Sequence, residues 1–541
     1  MKPKFRHFLT ILICVGCCWL GGRLLRNSSQ VDVPQSAGRS VSAPAGPVAA
    51  AVFLPPPQRT RERVKNRTTV EIFASCRPDE VILRFPSEET YAAFFATLDR
   101  SQIHLVDQLD RLRAVRLSYN DWADLVSLLA GENMVAYDSL SAVPPPTPVG
   151  SSGQAGRVEL GDGLLPWLGI TGDPSRWGAG VKIAVLDTGV VQHPALPGLT
   201  KSIAITPFPL DLDQTCGHGT AVASLIAGHG PTAPGIAPAA ELISIRISDE
   251  SGKADSFALA AGILAAIDCG AQLINISMGT SEDNPLIAEA VLLARQSQVL
   301  IVAAVGNFQQ AEASYPAAYP SVISVGAVDG RGQHLDFSNY GSYLSLTAPG
   351  YGINAAWPGN GYTRISGTSA SAPIVTGAIA ATMSNGRGVA MSASQAAAIV
   401  MNYSNEAGLA GPDSEYGVGI LDMGRVMNRG VSGRVDAAIT SQRLVKSNTS
   451  VSHDEIQVTV QNRGTTTLIN TQVEITSPFG KRQFNATRIE PCAIQTFSIP
   501  IQLKAKGQHE ALEVSSKLTL SMGSEDLTPQ NNFRHDTLYA D

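Results

Sequence analysis

The sequence predicts an α/β protein built on a parallel sheet with helices on both faces, preceded by a small α+β domain and followed by an antiparallel β-sandwich. Short apolar, β-branched runs alternate with helical patterns in the middle of the 541-residue chain, which is typical of a parallel sheet. Before that region, two helical patterns stand among short strands. After about residue 435, apolar and polar residues alternate, which indicates antiparallel strands.

Composition limits the classes of function. A chain of this length predicts about three domains. The formal net charge is −6, and no basic stripe interleaved with aromatic residues is present, so a nucleic-acid partner is not expected. The seven cysteines form neither a disulfide framework nor a zinc pattern. Cys216 is either a reactive thiol or, as we expect, a small buried side chain. We predict no metal site and no other cofactor, with structural calcium left open.

The N-terminus predicts export. Three basic residues precede an apolar run over residues 8–22, which is shorter than the roughly 20 residues of a membrane-spanning helix. We predict an export signal within residues 1–26. Because Arg23 and Arg26 follow the run and no A-x-A site is evident, an uncleaved anchor at residues 8–22 is an alternative, and lipidation of Cys17 is a further one. The protein is expected to be secreted, periplasmic or bound to the cell envelope.

A linker and a compact unit come next. Residues 27–69 are rich in Pro, Ala and Ser, which predicts a flexible linker. Residues 70–141 follow the order strand, helix, strand, strand, helix, strand, which predicts a ferredoxin-like α+β domain. Its first strand is expected at residues 81–85, and its second helix between Asn120 and Gly131.

The main domain is predicted over residues 162–430, after a Pro-rich linker or processing region at residues 142–161. Ligands of parallel sheets bind beyond the carboxyl ends of the strands. The residues at or just after the ends of three predicted strands, namely Asp187, Ser277 and Gly306-Asn307, are therefore expected to face one crevice. The predicted strands include residues 181–186, 242–247, 273–277 and 299–305, and the predicted helices include residues 257–269 and 286–296.

The C-terminal region, residues 431–541, is predicted to be a small antiparallel β-sandwich. Ile456, Val458 and Val460 alternate with polar residues, and similar runs recur further along the chain. This alternation has the period of a half-buried strand.

Ser369 is the candidate nucleophile. It follows Gly367 and Thr368 where a helical pattern begins, and Pro373 suits the first turn of that helix. A serine at this position is either a capping residue or a nucleophile, placed where free backbone N–H groups favour developing negative charge. A catalytic serine needs a base, so the positions of the histidines distinguish these alternatives.

His218 is the candidate base. All histidines after Ser369 fall in the predicted sandwich, so the base must lie upstream. His218 alone stands between two glycines at the start of a helical pattern. His193 follows a strand-end loop and is expected to be solvent-exposed, whereas His229 is expected at a helix end, where a cation is favourable.

Three short blocks carry a family resemblance. Asp187-Thr-Gly, His218-Gly-Thr and Gly-Thr-Ser369, in this order, resemble the signature blocks of the subtilisin-like serine proteases, the subtilases, and the order is the one described for subtilisin itself. The resemblance covers roughly residues 165–427. It implies a subtilisin-like fold in which Ser369 attacks the scissile carbonyl, His218 takes and returns the proton, and Asp187 orients the imidazole. One departure is Ala221, where a histidine often follows the Gly-Thr.

The same resemblance implies the rest of the site. Asn307 matches the oxyanion-hole asparagine, whose amide acts together with the backbone N–H of Ser369. Ser314 matches the floor of the pocket for the side chain before the cut, and its small size suggests an apolar, roomy pocket. The related sedolisins are excluded by His218 and Asn307, since they use Glu and Asp in these roles. The residues implied to contact substrate are Ser277, Met278, Gly279, Ala304, Val305, Gly306 and Ser314.

The flanking domains also have resemblances. Residues 70–141 resemble a subtilase propeptide, which assists folding and inhibits the enzyme, and the sandwich resembles CARDB-type, Ig-like adhesion modules. We therefore predict an exported serine endopeptidase made as a zymogen, with protein substrates and its own propeptide as partners. The alternatives are a peptide ligase or macrocyclase that uses the same acyl-enzyme, and a catalytically idle adhesion protein.

Overall fold

The computed structural model describes residues 80–98, 103–121, 124, 135–137, 140–141, 156–205, 217–249, 252–311, 314–384, 391–446, 454–502, 510–521 and 524–540. The predicted export signal and linker, most of the predicted second helix, and Cys216 lie outside these residues. Among the helices that the structure describes, none is long and apolar enough to cross a membrane.

The first unit is an antiparallel sheet with a helix packed on it. Its strand order is β2-β3-β1-β4, and the pairs β1–β3, β1–β4 and β2–β3 are antiparallel. Ser87 caps the helix by accepting a bond from the N–H of Thr90. The ferredoxin-like arrangement stays a prediction, because it depends on the second helix. The elements are β1 (Glu80–Arg84), α1 (Glu88–Thr97), β2 (Ile103–Leu109), β3 (Ala114–Tyr119), β4 (Val135–Tyr137) and β5 (Leu140–Ser141).

The central domain is built on a parallel sheet, as predicted. Seven strands in the described residues follow the order β13-β12-β11-β10-β6-β8-β7, and every neighbouring pair is parallel. The strands are β6 (Lys182–Asp187), β7 (Leu199–Ala204), β8 (Glu241–Arg246), β9 (Ala254–Asp255), β10 (Leu273–Ile276), β11 (Leu300–Ala304), β12 (Val322–Val328), β13 (Leu346–Pro349), β14 (Ile353–Trp357) and β15 (Gly361–Ile365). Strands β14 and β15 form a separate hairpin.

Helices cover both faces of this sheet, which confirms the predicted α/β layers. The helices are α2 (Leu164–Trp167), α3 (Gly217–Ala227), α4 (Ser256–Asp268), α5 (Pro285–Gln296), α6 (Thr368–Met383), α7 (Ala393–Asn402) and α8 (Met423–Asn428). Buried residues of α3 and α6 belong to one apolar core, and those of α4 and α5 belong to another. The sheet separates the two cores.

The first unit packs against α4 and α5 through arginines. Arg116 forms a buried ion pair with Asp255, and its guanidinium lies 4.8 Å from the ring centroid of Phe257. Arg84 and Glu289 form a second pair. Strand β5 also pairs antiparallel with β9, so the end of the first unit joins the central domain through backbone bonds.

Two antiparallel sheets form the C-terminal domain, consistent with the predicted sandwich. In the described residues their strand orders are β16-β17-β20 and β19-β18-β21-β22, and the apolar side chains between them form one core. Arg425 connects this domain to the central one, since its Nε donates to the carbonyl of Arg463 over 3.2 Å. The strands are β16 (Ala437–Val445), β17 (Asp454–Asn462), β18 (Leu468–Ser477), β19 (Gly480–Ile489), β20 (Ile494–Ile501), β21 (Glu510–Thr519) and β22 (Phe533–Ala540).

Candidate active site

The candidate site lies at the carboxyl edge of the parallel sheet. Asp187 ends β6 and Ser277 directly follows β10. The two strands are neighbours, with Leu186 paired to Ile276, and paired strands lie about 4.8 Å apart. Asp187 and Ser277 therefore lie close together at this edge of the sheet.

His218 is held by Asp187. Its Nδ1 lies 2.7 Å from Oδ1 of Asp187, and the two side chains are 4% and 0% exposed. Since an ionised carboxylate can only accept, Nδ1–H donates, and Nε2 carries the free lone pair. Among the residues that the structure describes, Nε2 has no hydrogen-bond partner. The imidazole is therefore oriented as a base with an open acceptor.

Ser369 is not a capping residue. Gly367 is the N-cap of α6, with φ of 134°, so Ser369 is the second residue of the helix, and its N–H belongs to the first turn, where intrahelical acceptors are lacking. The Ser369 hydroxyl donates to the carbonyl of Ser277 over 2.9 Å. To reach Nε2 of His218, it must turn away from that carbonyl.

Pro373 stands deeper in α6 than the sequence predicted. The helix begins at Thr368, so Pro373 is its sixth residue and lies past the first turn. Proline has no N–H, and the carbonyl four residues earlier, that of Ser369, loses its helical donor. The hydroxyl of Ser277 takes the donor's place over 3.1 Å. The proline thereby makes room for a bond that joins the nucleophile's helix to the sheet edge.

A buried polar chain continues behind this bond. Asn275 donates from Nδ2 to the Ser277 hydroxyl over 3.0 Å, and Thr376 donates from Oγ1 to Oδ1 of Asn275 over 2.9 Å. All three side chains are buried. Sequence reasoning missed Asn275 and Thr376 as parts of the site. The available signal was the single polar residue inside the apolar strand Leu-Ile-Asn-Ile.

Asn307 is fixed by the residue before the serine. Its Oδ1 accepts from the N–H of Thr368 over 2.8 Å and from the Thr368 hydroxyl over 2.9 Å. The same hydroxyl accepts from the N–H of Gly306 over 3.1 Å. With Oδ1 occupied, the Nδ2 group of Asn307 is left to donate. The site thus offers two donors near Ser369, namely this amide and the serine's own N–H.

The segment Ser277-Met278-Gly279 runs beside Ser314. Thr280 and Tyr315 exchange two backbone bonds of 2.8 and 2.7 Å. A Cβ added at Gly279 would lie 2.9 Å from the hydroxyl of Ser314, so the segment and the predicted pocket floor are in close approach.

Two of the predicted substrate contacts, Ala304 and Val305, are buried. Ala304 and Val305 are 4% and 0% exposed, and Val305 uses both backbone groups inside the protein, through bonds to Val325 and Asn339. Ser277 and Met278 are buried to the same degree, at 2% and 5% exposed, so the substrate contacts of Ala304 and Val305 stay a prediction, like those of the segment 277–279.

His193 is buried, contrary to the prediction of an exposed side chain. It is 5% exposed. Its Nδ1 accepts from the N–H of Ala195 over 3.0 Å, and its Nε2 lies 3.0 Å from the carbonyl of Gly361. Both ring nitrogens are satisfied by backbone, so His193 ties the loop after β6 to the β14–β15 hairpin and is not a second base.

No candidate metal centre accompanies this site among the residues that the structure describes. In the described ranges, no group of three or more His, Cys, Asp or Glu side chains could hold an ion. The described cysteines, Cys269 and Cys492, are free thiols.

Comparison with known proteins gives one consistent family. The model of the subtilase family matches residues 178–419. The thermostable alkaline protease of Halalkalibacterium halodurans is 37% identical over 38% of this chain and 57% of its own length. Subtilisin Savinase of Lederbergia lenta is 37% identical over 38% of this chain and 76% of its own. Thermitase of Thermoactinomyces vulgaris is 36% identical over 40% of this chain and 80% of its own. The chain thus spans little more than half of the first relative and about four fifths of the third.

Proposed function

The chain belongs to the subtilase family of serine endopeptidases, and on that premise we propose that it is an exported endopeptidase, made as a zymogen, that cleaves peptide bonds through an acyl-enzyme on Ser369. The observation that carries the proposal is the buried Asp187–His218 pair, which leaves Nε2 of His218 open. Asp187 ends β6, and Ser277, which binds the Ser369 hydroxyl, follows the neighbouring strand β10. A purely structural histidine has no need of a bonded Nδ1 and a free Nε2.

Substrate binding itself would prepare the serine. In the structure the Ser369 hydroxyl donates to the carbonyl of Ser277. A substrate that pairs with residues 277–279 as an added strand brings backbone N–H groups to that segment. An N–H that takes the Ser277 carbonyl releases the serine hydroxyl, which can then turn to His218.

The chemical steps follow from these positions. Oγ of Ser369 forms a bond to the scissile carbonyl carbon while its proton moves to Nε2 of His218. The tetrahedral intermediate breaks its C–N bond, and the same proton leaves with the amine. Water then attacks the acyl-enzyme with His218 again as base, and the carboxylic product leaves. Asp187 stabilises the imidazolium throughout.

Two hydrogen-bond donors that are already oriented would stabilise the negative charge on the tetrahedral oxygen. Nδ2 of Asn307 and the N–H of Ser369 are the two candidates, and Thr368 fixes the orientation of Asn307. In subtilisin itself, losing one such donor costs about 10²- to 10³-fold in kcat. We assign the same role to Asn307.

The pocket favours apolar side chains before the cut. Ser314 is small and 7% exposed, and the neighbouring segment contributes buried Met278. Phe308, directly after Asn307, is 57% exposed and adds an aromatic surface. Ser314, Met278 and Phe308 carry no charge, which supports substrates with Leu, Met or Phe at this position over those with Lys or Asp.

The first unit supports the zymogen proposal. It is anchored to α4 and α5 through Arg116–Asp255 and Arg84–Glu289, and its last strand pairs with β9. A unit fixed in this way to the central domain can assist its folding and lie over it until the link is cut. The basic, apolar N-terminus supports export.

Substitution of the serine tests the proposal. Wild type and Ser369→Ala are purified from the full chain and compared for hydrolysis of a peptide library, for labelling by a fluorophosphonate, and for loss of the region before residue 162. We expect wild type to cleave, label and mature, and the variant to do none of these. Cleavage by the pure variant would refute the nucleophile, and an unlabelled, inactive wild type would favour an idle adhesion protein. Product masses that carry an added amine in place of water would indicate a ligase.

A further inference from the structure

Asn339 holds the loop that carries the candidate oxyanion donor. Its Nδ2 donates to the carbonyl of Val305 over 2.9 Å. Its Oδ1 accepts from the N–H groups of Phe308 over 2.9 Å and Gln310 over 3.1 Å. Its own backbone N–H donates to the carbonyl of Gly306 over 2.9 Å. One residue thus bonds the chain on both sides of Asn307.

The chemistry of the carboxamide explains why this residue is an asparagine. One end of the group must donate to a carbonyl while the other accepts from two N–H groups, and among short side chains only Asn offers both. Asn339 is 3% exposed, so the loss of any of these hydrogen bonds would leave a buried polar group without a hydrogen-bond partner. The loop fits closely around it, since a Cβ at Gly306 would lie 2.7 Å from Nδ2 of Asn339. Because glycine has no Cβ, Gly306 avoids this close contact and also adopts its positive φ of 103° without strain.

Asn307 is therefore held from two directions. Thr368 binds its side-chain oxygen, and Asn339 binds the backbone before and after it. The first contact sets the direction of the amide, and the second sets the position of the Cα from which the amide extends. A donor that stabilises a developing oxyanion must be placed within about 0.5 Å.

We propose that Asn339 is a positioning residue for catalysis, which acts by placing Nδ2 of Asn307 against the tetrahedral oxygen. This inference rests on the proposed protease function. Because Asn339 is 3% exposed and its side chain is bonded to the loop on both sides of Asn307, we expect its effect to pass through Asn307. An effect on the transition state alone lowers kcat and leaves KM nearly unchanged.

A double-mutant cycle tests whether Asn339 acts through Asn307. The variants are Asn339→Ala, Asn307→Ala and the double variant, with kcat expressed per fluorophosphonate-titrated site. We expect Asn307→Ala to lower kcat about 10²- to 10³-fold and Asn339→Ala to lower it about 10- to 100-fold. In the Asn307→Ala background, Asn339→Ala should lower kcat by less than about threefold, because the donor that it places is already gone. Binding of a peptide boronic acid, which mimics the tetrahedral adduct, should weaken in parallel with kcat.

Asn462→Ala is the matched control. Asn462 is equally buried and also makes three side-chain bonds to backbone, to Thr466, Ile489 and Gly464, but it lies in the sandwich. We expect it to lower stability by a similar amount and to leave kcat unchanged.

The outcomes separate the inference from its premise. An inactive wild type would refute the proposed function. An active wild type in which Asn339→Ala leaves kcat unchanged, or lowers it by the same factor with and without Asn307, would overturn the positioning role alone. If the alanine variant does not fold, Asn339→Asp takes its place in the cycle. It keeps both acceptor bonds and loses only the donation to Val305, and its effect on kcat must also vanish in the Asn307→Ala background.

Discussion

The carboxylate of Asp187 accepts a 2.7 Å hydrogen bond from Nδ1 of His218, inside a site that shields both groups from water. This bond selects the tautomer whose Nε2 is unprotonated. A base of this kind depends on its partner for orientation as much as for charge.

Asp187→Asn should therefore disable catalysis without unfolding the protein. The asparagine amide would donate to Nδ1, so the proton would sit on Nε2 and the imidazole could not accept from Ser369. We expect kcat to fall by about 10⁴-fold with KM little changed, measured on a peptide substrate with site titration. Asp173→Asn is the control, since Asp173 only bonds Ser175 at the surface. Comparable losses in the two variants would contradict the tautomer argument.

The bond between Ser277 and the Ser369 carbonyl leads to a rescue experiment. Ser277→Ala leaves that carbonyl without a donor, because Pro373 cannot supply one. We expect a loss of about 1–3 kcal/mol in the free energy of unfolding and a lower kcat. Adding Pro373→Ala restores the helical N–H, and the double variant should regain most of the stability.

Urea unfolding in the Ser369→Ala background, which prevents autolysis, measures this coupling. Pro373→Ala alone is the control, and it should not stabilise the protein that already has the Ser277 hydroxyl. Equal effects of Pro373→Ala with and without Ser277 would show that the two residues do not share this carbonyl.

Sequence reasoning identified the elements and the candidate triad because both depend on local patterns. Apolar runs predicted β6 and β10, and three short blocks singled out Asp187, His218 and Ser369. It did not identify Asn339 or Thr376, because their roles arise from bonds to residues far away in the chain. The prediction that His193 is exposed was wrong, because no local pattern in the sequence reveals that backbone groups of Ala195 and Gly361 bond both ring nitrogens.

The ion pairs of the first unit should differ sharply in strength. Arg116 and Asp255 are both buried, so Arg116→Met removes the cation that faces a buried carboxylate, at a cost of about 3–5 kcal/mol. Arg111 and Asp268 are 44% and 63% exposed, and Arg111→Met should cost less than about 1 kcal/mol. Hydrogen exchange of β1–β3 in full-length Ser369→Ala protein measures both. Equal protection in the two variants would contradict the expected difference in strength between the buried and the exposed ion pair.

Glu406 should make stability depend on pH. It lies where the central domain meets the sandwich, with its N–H bonded to Gln461 and its Oε1 to the N–H of Gly411. Burial raises its pKa to about 8, above the ordinary value for a glutamate, so the folded state holds a proton that the unfolded state has released. Its stabilising contribution is therefore complete below about pH 4.5 and is lost as the pH rises through about 8.

Replacing Glu406 with its neutral isostere measures this contribution. Glu406→Gln, which keeps the acceptor for Gly411, should match wild type within about 1 kcal/mol at pH 5 and exceed its stability by about 2–4 kcal/mol at pH 9. Urea unfolding at both pH values, in the Ser369→Ala background, checks this. Glu415→Gln is the control, because Glu415 is 45% exposed beside Arg443 and should show no such pH-dependent gain. A constant difference between Glu406→Gln and wild type across this pH range would mean that Glu406 is already ionised in the folded protein.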